Sequence, residues 1–283
     1  MNKLTTTRRS FLKTSSLALL GSPWLLNSLP VPKKYKWGII LNTVRHEMTQ
    51  NIRGTLSQLA RMGYRYVEGN YYGESAAKYA EVLKDVGLKC IVGGSSMSSL
   101  QKDMRTWLET AETLEYKYIT CYWPWLTSAE NLTYDECMET AQRLNEVGRQ
   151  VKAAGFRFTW HNHDKEFTEI REKTAFELLI ENTDPDWVGV QMDLYWVRKG
   201  GANPLDLFEK YPGRFELFHV KDMDDTEEEE ITCVGEGQID FQEIFDHAKH
   251  AGMEYAMVEH EDTEEGKGID CARTSIKHLD TIR

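Results

Sequence analysis

The sequence predicts an α/β chain folded as a single-domain (β/α)8 TIM barrel. Three observations carry that expectation. Residues 31–283 hold eight short apolar runs, each followed by a helix or a helix-sized segment. The stretch is about as long as such a barrel needs. Regular alternation of strand and helix signals is the mark of a parallel sheet covered by helices.

The strand candidates are 37–41, 64–68, 88–92, 118–122, 156–161, 188–193, 215–220 and 255–259. Between them apolar residues recur every three or four positions, the helical period. Ile52, Leu56 and Leu59 form one stripe, stopped by Gly63, and Ala76, Ala80, Leu83 and Val86 form the next, stopped by Gly87. Cys137, Ala141, Leu144, Val147, Val151 and Ala154 make a longer one before Gly155. Thr133 with Glu136, Thr174 with Glu177, and Asp240 with Glu243 have capping-box spacing. Asn203-Pro204 places a cap before a proline at the first helical position. A stop at Gly252 and a last helix over 271–282 complete the pattern. A doubly wound open sheet is the alternative, but no G-x-G-x-x-G follows the first strand.

Residues 1–30 stand apart. Thr6-Thr7-Arg8-Arg9-Ser10-Phe11-Leu12-Lys13 precedes a short apolar run over 17–20 and resembles a twin-arginine (Tat) export signal. The run is too short to span a bilayer, and no Cys follows it for a lipid anchor. The expectation is a signal over 1–30, cleaved between Gly21 and Val31, an exported periplasmic protein without a stable membrane anchor, and a barrel over 31–283. The five cysteines are odd in number and lack a CxxC pair, so they read as mostly buried small hydrophobes and not as a disulfide framework.

Net charge is −11, and the first thirty residues hold four basic and no acidic residues, so residues 31–283 carry −15. So acidic a body repels phosphate backbones and anionic lipid, which argues against nucleic acid as a partner and against adhesion to a membrane surface.

The later strand ends carry the chemistry. The fifth ends in Thr159-Trp160-His161-Asn162-His163, which puts His161 and His163 on one face. The next three end on Asp193, on His219 and Lys221, and on Glu259 and Glu261. Active sites of such barrels lie at the C-terminal ends of the strands. His161, Asp193, His219 and Glu259 therefore form a candidate site for one divalent metal, because two imidazoles and two carboxylates suit a borderline cation. Manganese is the first expectation, zinc or cobalt the second.

Taken in order, His161-Asn162-His163-Asp164-Lys165-Glu166-Phe167, Asp193-Leu194-Tyr195-Trp196, His219-Val220-Lys221-Asp222, Val234-Gly235-Glu236-Gly237-Gln238-Ile239-Asp240-Phe241 and Val258-Glu259 resemble the sugar phosphate isomerase/epimerase group of xylose-isomerase-like TIM barrels. The resemblance implies a metal held by Glu, Asp, His and Glu from strands five to eight, with the two glutamates exchanging a proton with the substrate carbon. Asp193, His219 and Glu259 fit the last three positions, and His161 stands in place of the first glutamate. The implied activity is isomerisation or epimerisation of a carbohydrate through a metal-stabilised enediolate, with Glu259, Lys221 and His163 as catalytic groups. Loss of one glutamate suits elimination, a lyase or dehydratase, at least as well.

Sugar-binding candidates are Glu68 at the end of strand two, Trp123, Trp196, and Glu236 in the Gly235-Glu236-Gly237 loop. No glycine-rich phosphate cradle stands out, so the expected partner is a non-phosphorylated sugar, keto-sugar or glycoside. Two other readings stay open: a non-catalytic sugar-binding barrel, and an abasic-site endonuclease, which the charge opposes.

Overall fold

The computed structural model describes residues 35–261 and 264–282. The expected export signal lies outside the described residues. Strands β1 (Gly38–Ile40), β2 (Tyr66–Glu68), β3 (Lys89–Ser96), β4 (Tyr118–Trp123), β5 (Arg157–His161), β6 (Val188–Asp193), β7 (Leu217–Val220) and β8 (Tyr255–Val258) pair in parallel, each with its sequence neighbour, and β8 pairs back onto β1. The result is a closed single-domain (β/α)8 barrel.

Alternation along the strands sorts the residues. Val67, Phe158, Trp160, Val190, Met192, Phe218, Val220 and Val258 face outward and join the core under the helices. Val92, Tyr118, Leu217 and Met257 pack together as a second, smaller cluster, and Thr120 and Thr159 share a hydroxyl hydrogen bond of 2.7 Å. The inward positions nearest the C-terminal ends are polar, which leaves that end to chemistry.

The helix signals act locally. The capping boxes at Thr133 and Thr174 form with both reciprocal bonds, each contributing on the order of 1 kcal/mol. Asp240 accepts from the Glu243 amide, and Asn203 accepts from the Leu205 amide ahead of Pro204. The last helix is Gly268–Leu279, three residues earlier than the sequence pattern places it.

Two features depart from the sequence pattern. Strand β3 continues through Gly93-Gly94-Ser95-Ser96, four residues past the end of the 88–92 apolar run. Gly94 belongs in the strand because a Cβ there would lie 1.9 Å from the Thr120 carbonyl oxygen of β4. Secondly, Cys233 is disulfide-bonded to Cys271, with their Cα atoms 5.3 Å apart. The expectation of buried free thiols holds for Cys90, Cys121 and Cys137 and fails for this pair. The chain after β7 returns through a two-stranded ribbon, Asp222–Met223 with Ile231–Thr232, and Cys233 follows it to the start of helix Gly268–Leu279. Spacing in the sequence gives no sign of that meeting. Among the described residues no helix is long and apolar enough to cross a membrane.

Candidate metal centre

Each of the four expected ligands comes from a consecutive strand end. His161 and Asp193 close β5 and β6, His219 lies in β7, and Glu259 follows β8, its amide still bonded to the Val220 carbonyl at 3.0 Å. All four are buried, none more than 5% exposed. One donor atom from each lies within 4.8 Å of the others. His219 Nδ1 is 2.8 Å from Glu259 Oε2, and His161 Nε2 is 3.9 Å from Asp193 Oδ2. Donors around a single divalent ion at roughly 2.0–2.2 Å stand roughly 3–4.4 Å apart, so these side chains converge on one point.

Beyond one another and the Lys221 ammonium, the donor atoms of Asp193, His219 and Glu259 have no polar partner among the described residues. Asp193 Oδ2, His219 Nδ1 and Glu259 Oε2 are buried and make no hydrogen bond. An unsatisfied buried polar atom costs about 1–3 kcal/mol. The two oxygens touch the Lys221 ammonium, at 3.0 and 3.1 Å, and each remains within the four-residue cluster. The residues present therefore fit a divalent cation.

The electrostatics point the same way. Burial lowers the His161 imidazole well below its ordinary value, helped by His219 and His163; a neutral ring is what a metal requires. Burial also opposes charge on His219, but Glu68 and Glu259 outweigh it and raise that ring well above the usual range. A positive charge is thus favoured at this point. Burial pushes Asp193 up to about 6, resisted by Lys221 and reinforced by Glu259. Glu259 is held well below the carboxylate range: burial opposes this, and Lys221 and His219 prevail.

Lys221 is fully buried, and its Nζ also lies 3.1 Å from Glu261 Oε1 and 5.2 Å from the Trp196 ring centroid. The three carboxylates outweigh desolvation and hold it charged, above the ordinary lysine range. His163 packs between Trp123 and Trp196, at 5.2 and 5.7 Å between ring centroids. Burial, with help from Lys221, lowers its imidazole to about 4, so it is neutral at pH 7.

A cavity of about 500 Å³ opens over the cluster, lined by His161, His163, His219, Glu259 and Glu261, with Asn42, Ser95 and Tyr122 among the other walls. The walls include no Lys or Arg among the described residues. A larger open groove, about 650 Å³, lies at the opposite barrel end, where Arg157 is already paired with Glu216.

The remaining candidates are placed as follows. Trp123 and Trp196 flank His163 without lining the cavity. Glu68 is fully buried and turned toward His219 and Gln191, not toward the cavity. Glu236 is exposed and away from the cavity. Its loop is a structural turn: the buried Asp222 carboxylate accepts from the amides of Gly235, Gly237 and Ile239 at 2.9, 3.1 and 3.2 Å. Asn42 lies in the helical turn after β1, and Ser95 and Tyr122 lie near the ends of β3 and β4; none is a metal-ligand residue type, so they escaped sequence reasoning. Glu166 escaped it too; it is fully buried, accepting from the His163 amide at 2.7 Å and from the Trp125 indole.

Comparison with known proteins agrees with this architecture. Residues 56–282 match the family described as Xylose isomerase-like TIM barrel. The chain belongs to that family. Curated relatives include the inosose dehydratase of Lacticaseibacillus casei, 26% identical over 168 residues, 53% of this chain and 56% of that protein. The chain thus spans little more than half the length of that relative. The inosose dehydratase of Geobacillus kaustophilus is 25% identical over 237 residues, 71% of this chain and 76% of that one. Among solved structures, a sugar phosphate isomerase/epimerase from Parabacteroides distasonis superposes with a TM-score of 0.77 at 22% identity, covering 88% of this chain and 96% of that one. The IolI protein with a bound zinc atom gives 0.69 at 16% identity, covering 88% and 99%. At these identities the two structures speak to the fold.

Proposed function

We propose that this protein is a divalent-metal-dependent lyase, a dehydratase, acting on a non-phosphorylated keto-sugar or cyclic keto-polyol. The observation that carries the reading is the convergence of His161, Asp193, His219 and Glu259 beneath a cavity walled by carboxylates and hydroxyls. The inosose dehydratases among its relatives support the reaction class. The cavity walls carry the Glu259 and Glu261 carboxylates and, among the described residues, no Lys or Arg side chain, and Lys221 is already held by both glutamates, so the lining suits sugar hydroxyls better than a phosphate group.

A cation held by the four residues supplies Lewis-acid polarisation of a substrate carbonyl, which acidifies the adjacent C–H. His163, neutral and facing the cavity, takes that proton on a ring nitrogen. The C–H bond breaks, a C=C bond forms and the hydroxyl on the next carbon departs. His163 returns its proton to the departing hydroxyl, so the net loss is one water and a single group serves as base and then acid. Lys221, in contact with Asp193 Oδ2 and Glu259 Oε2, offsets their negative charge. Trp123 and Trp196 fix the imidazole between them.

Isomerisation or epimerisation is the second reading. One observation favours it: Glu259 and His163 both line the cavity, so two proton carriers reach it. Metal content of the protein carrying its native metal, followed by incubation with free ketoses and cyclic keto-polyols in deuterium oxide, decides between them. Loss of water supports the lyase. Solvent deuterium in an intact skeleton supports the isomerase. A protein that binds sugar and leaves it unchanged is a binding barrel, and both readings fall.

Export through the twin-arginine route is part of the proposal. Arg8-Arg9 and the Cys233–Cys271 disulfide, a bond suited to an oxidising compartment, support it. Fractionation of cells expressing wild type and R8K/R9K tests it: loss of the periplasmic pool is expected, and an unchanged distribution refutes it.

A further inference from the structure

Glu68 is separated from the four ligands by more than ninety residues of sequence, yet it contacts one of them. It ends β2, is fully buried, and points across the barrel interior. Its Oε1 lies 3.0 Å from His219 Nε2. The Gln191 amide donates to both of its oxygens, at 2.9 and 3.0 Å. The other nitrogen of the same ring, Nδ1, is the atom 2.8 Å from Glu259 Oε2 in the ligand cluster.

This arrangement decides which ring nitrogen carries hydrogen. A carboxylate only accepts hydrogen bonds. With both Glu68 oxygens accepting from Gln191, the bond to His219 must run from Nε2–H to Oε1. The lone pair of the neutral ring then sits on Nδ1, facing the cluster. We propose that Glu68 is a positioning residue: it fixes the tautomer and orientation of His219 for cation binding, with Gln191 locking the carboxylate. It touches neither the cavity nor the cluster centre and acts only through His219. The inference rests on the metal-centre reading above.

The Glu68→Gln variant tests the chemistry at nearly constant shape. A carboxamide offers one oxygen where Gln191 and His219 each require an acceptor. If that oxygen serves Gln191, the amide NH2 faces Nε2, and the ring hydrogen moves to Nδ1, where it blocks the cation. Groups that orient a ligating imidazole change metal affinity by roughly 10–100-fold. The expected result is a loss of that size for Mn²⁺ and Zn²⁺, measured by competition with a chromophoric chelator. The long-range ¹H–¹⁵N spectrum should show His219 carrying hydrogen on Nε2 alone in the Zn²⁺-loaded wild type and on Nδ1 in the variant. Glu68→Asp keeps an acceptor-only group and should retain the wild-type tautomer with a smaller loss; it replaces the glutamine variant should that one not fold. Wild-type affinity, within about twofold, together with an unchanged tautomer in Glu68→Gln overturns the inference and leaves the metal centre standing. A wild-type protein that binds neither ion overturns the metal centre and the inference together.

Discussion

Breaking the Cys233–Cys271 bond should cost the fold a large, calculable amount. The two cysteines are 38 residues apart in sequence. Closing a loop of that length removes about 13 cal/mol/K from the unfolded chain, or about 4 kcal/mol at 25 °C. For a domain of this size each kcal/mol shifts the melting temperature by roughly 2–4 °C, so the Cys233→Ala/Cys271→Ala variant should melt roughly 8–16 °C below the oxidised protein. Alanine is the right replacement because Cys271 is buried and a serine hydroxyl would be stranded there. The assay is a calorimetric melt of oxidised wild type, reduced wild type and the variant, with thiol titration in denaturant alongside. Oxidised wild type should titrate as three thiols, from Cys90, Cys121 and Cys137. Five thiols in protein purified from an oxidising compartment, or a variant melting within about 2 °C of wild type, would refute the reasoning.

Other consequences are equally open to measurement. A divalent ion at a hundred times its dissociation constant should stabilise the protein by about 2.7 kcal/mol, seen as a raised melting temperature that His161→Ala loses; no shift in wild type argues against the centre. Lys221→Met keeps the packing against Trp196 but strands Asp193, Glu259 and Glu261 without their ammonium, so metal-free protein should lose roughly 3–5 kcal/mol in a urea titration; an unmoved midpoint contradicts the account of Lys221. Burial pushes the Glu166 carboxyl from 4.5 up to about 7, against the lowering effect of its bond from Trp125. A folded pKa raised in this way gives stability that is complete below about pH 4.5 and lost as pH rises through about 7, about 3 kcal/mol in all. Comparing urea midpoints at pH 4.5 and pH 8 for wild type and Glu166→Gln checks this: the variant should lack that component of the pH dependence, and an identical slope in both proteins removes Glu166 as its source.

The parts of the molecule legible in the sequence are those written in local periods. All eight strands follow from apolar runs, and the convergence of the four candidate ligands follows from strand-end identity, because alternation puts His161, Asp193, His219 and Glu259 on inward positions. Glycine stops at Gly63, Gly87, Gly155 and Gly252 all adopt positive φ. Helix Met104–Leu114 carries no such sign, since its end is Glu115, a non-glycine residue at φ 56°. Contacts between distant segments were equally silent. Neither the Cys233–Cys271 pair nor the reach of Glu68 to His219 has a spacing that betrays it. Asp222, which looks like one more acid beside Lys221, is consumed in holding the turn that carries Glu236.

Glu68 belongs to the second barrel strand, while the four ligands come from the fifth to the eighth. A fragment beginning after β3 would contain every ligand and lack the group that orients one of them. On the proposed metal centre, ion affinity doubles as a gauge of ring completion: during refolding, tight uptake should appear only once the early staves have docked against the late ones.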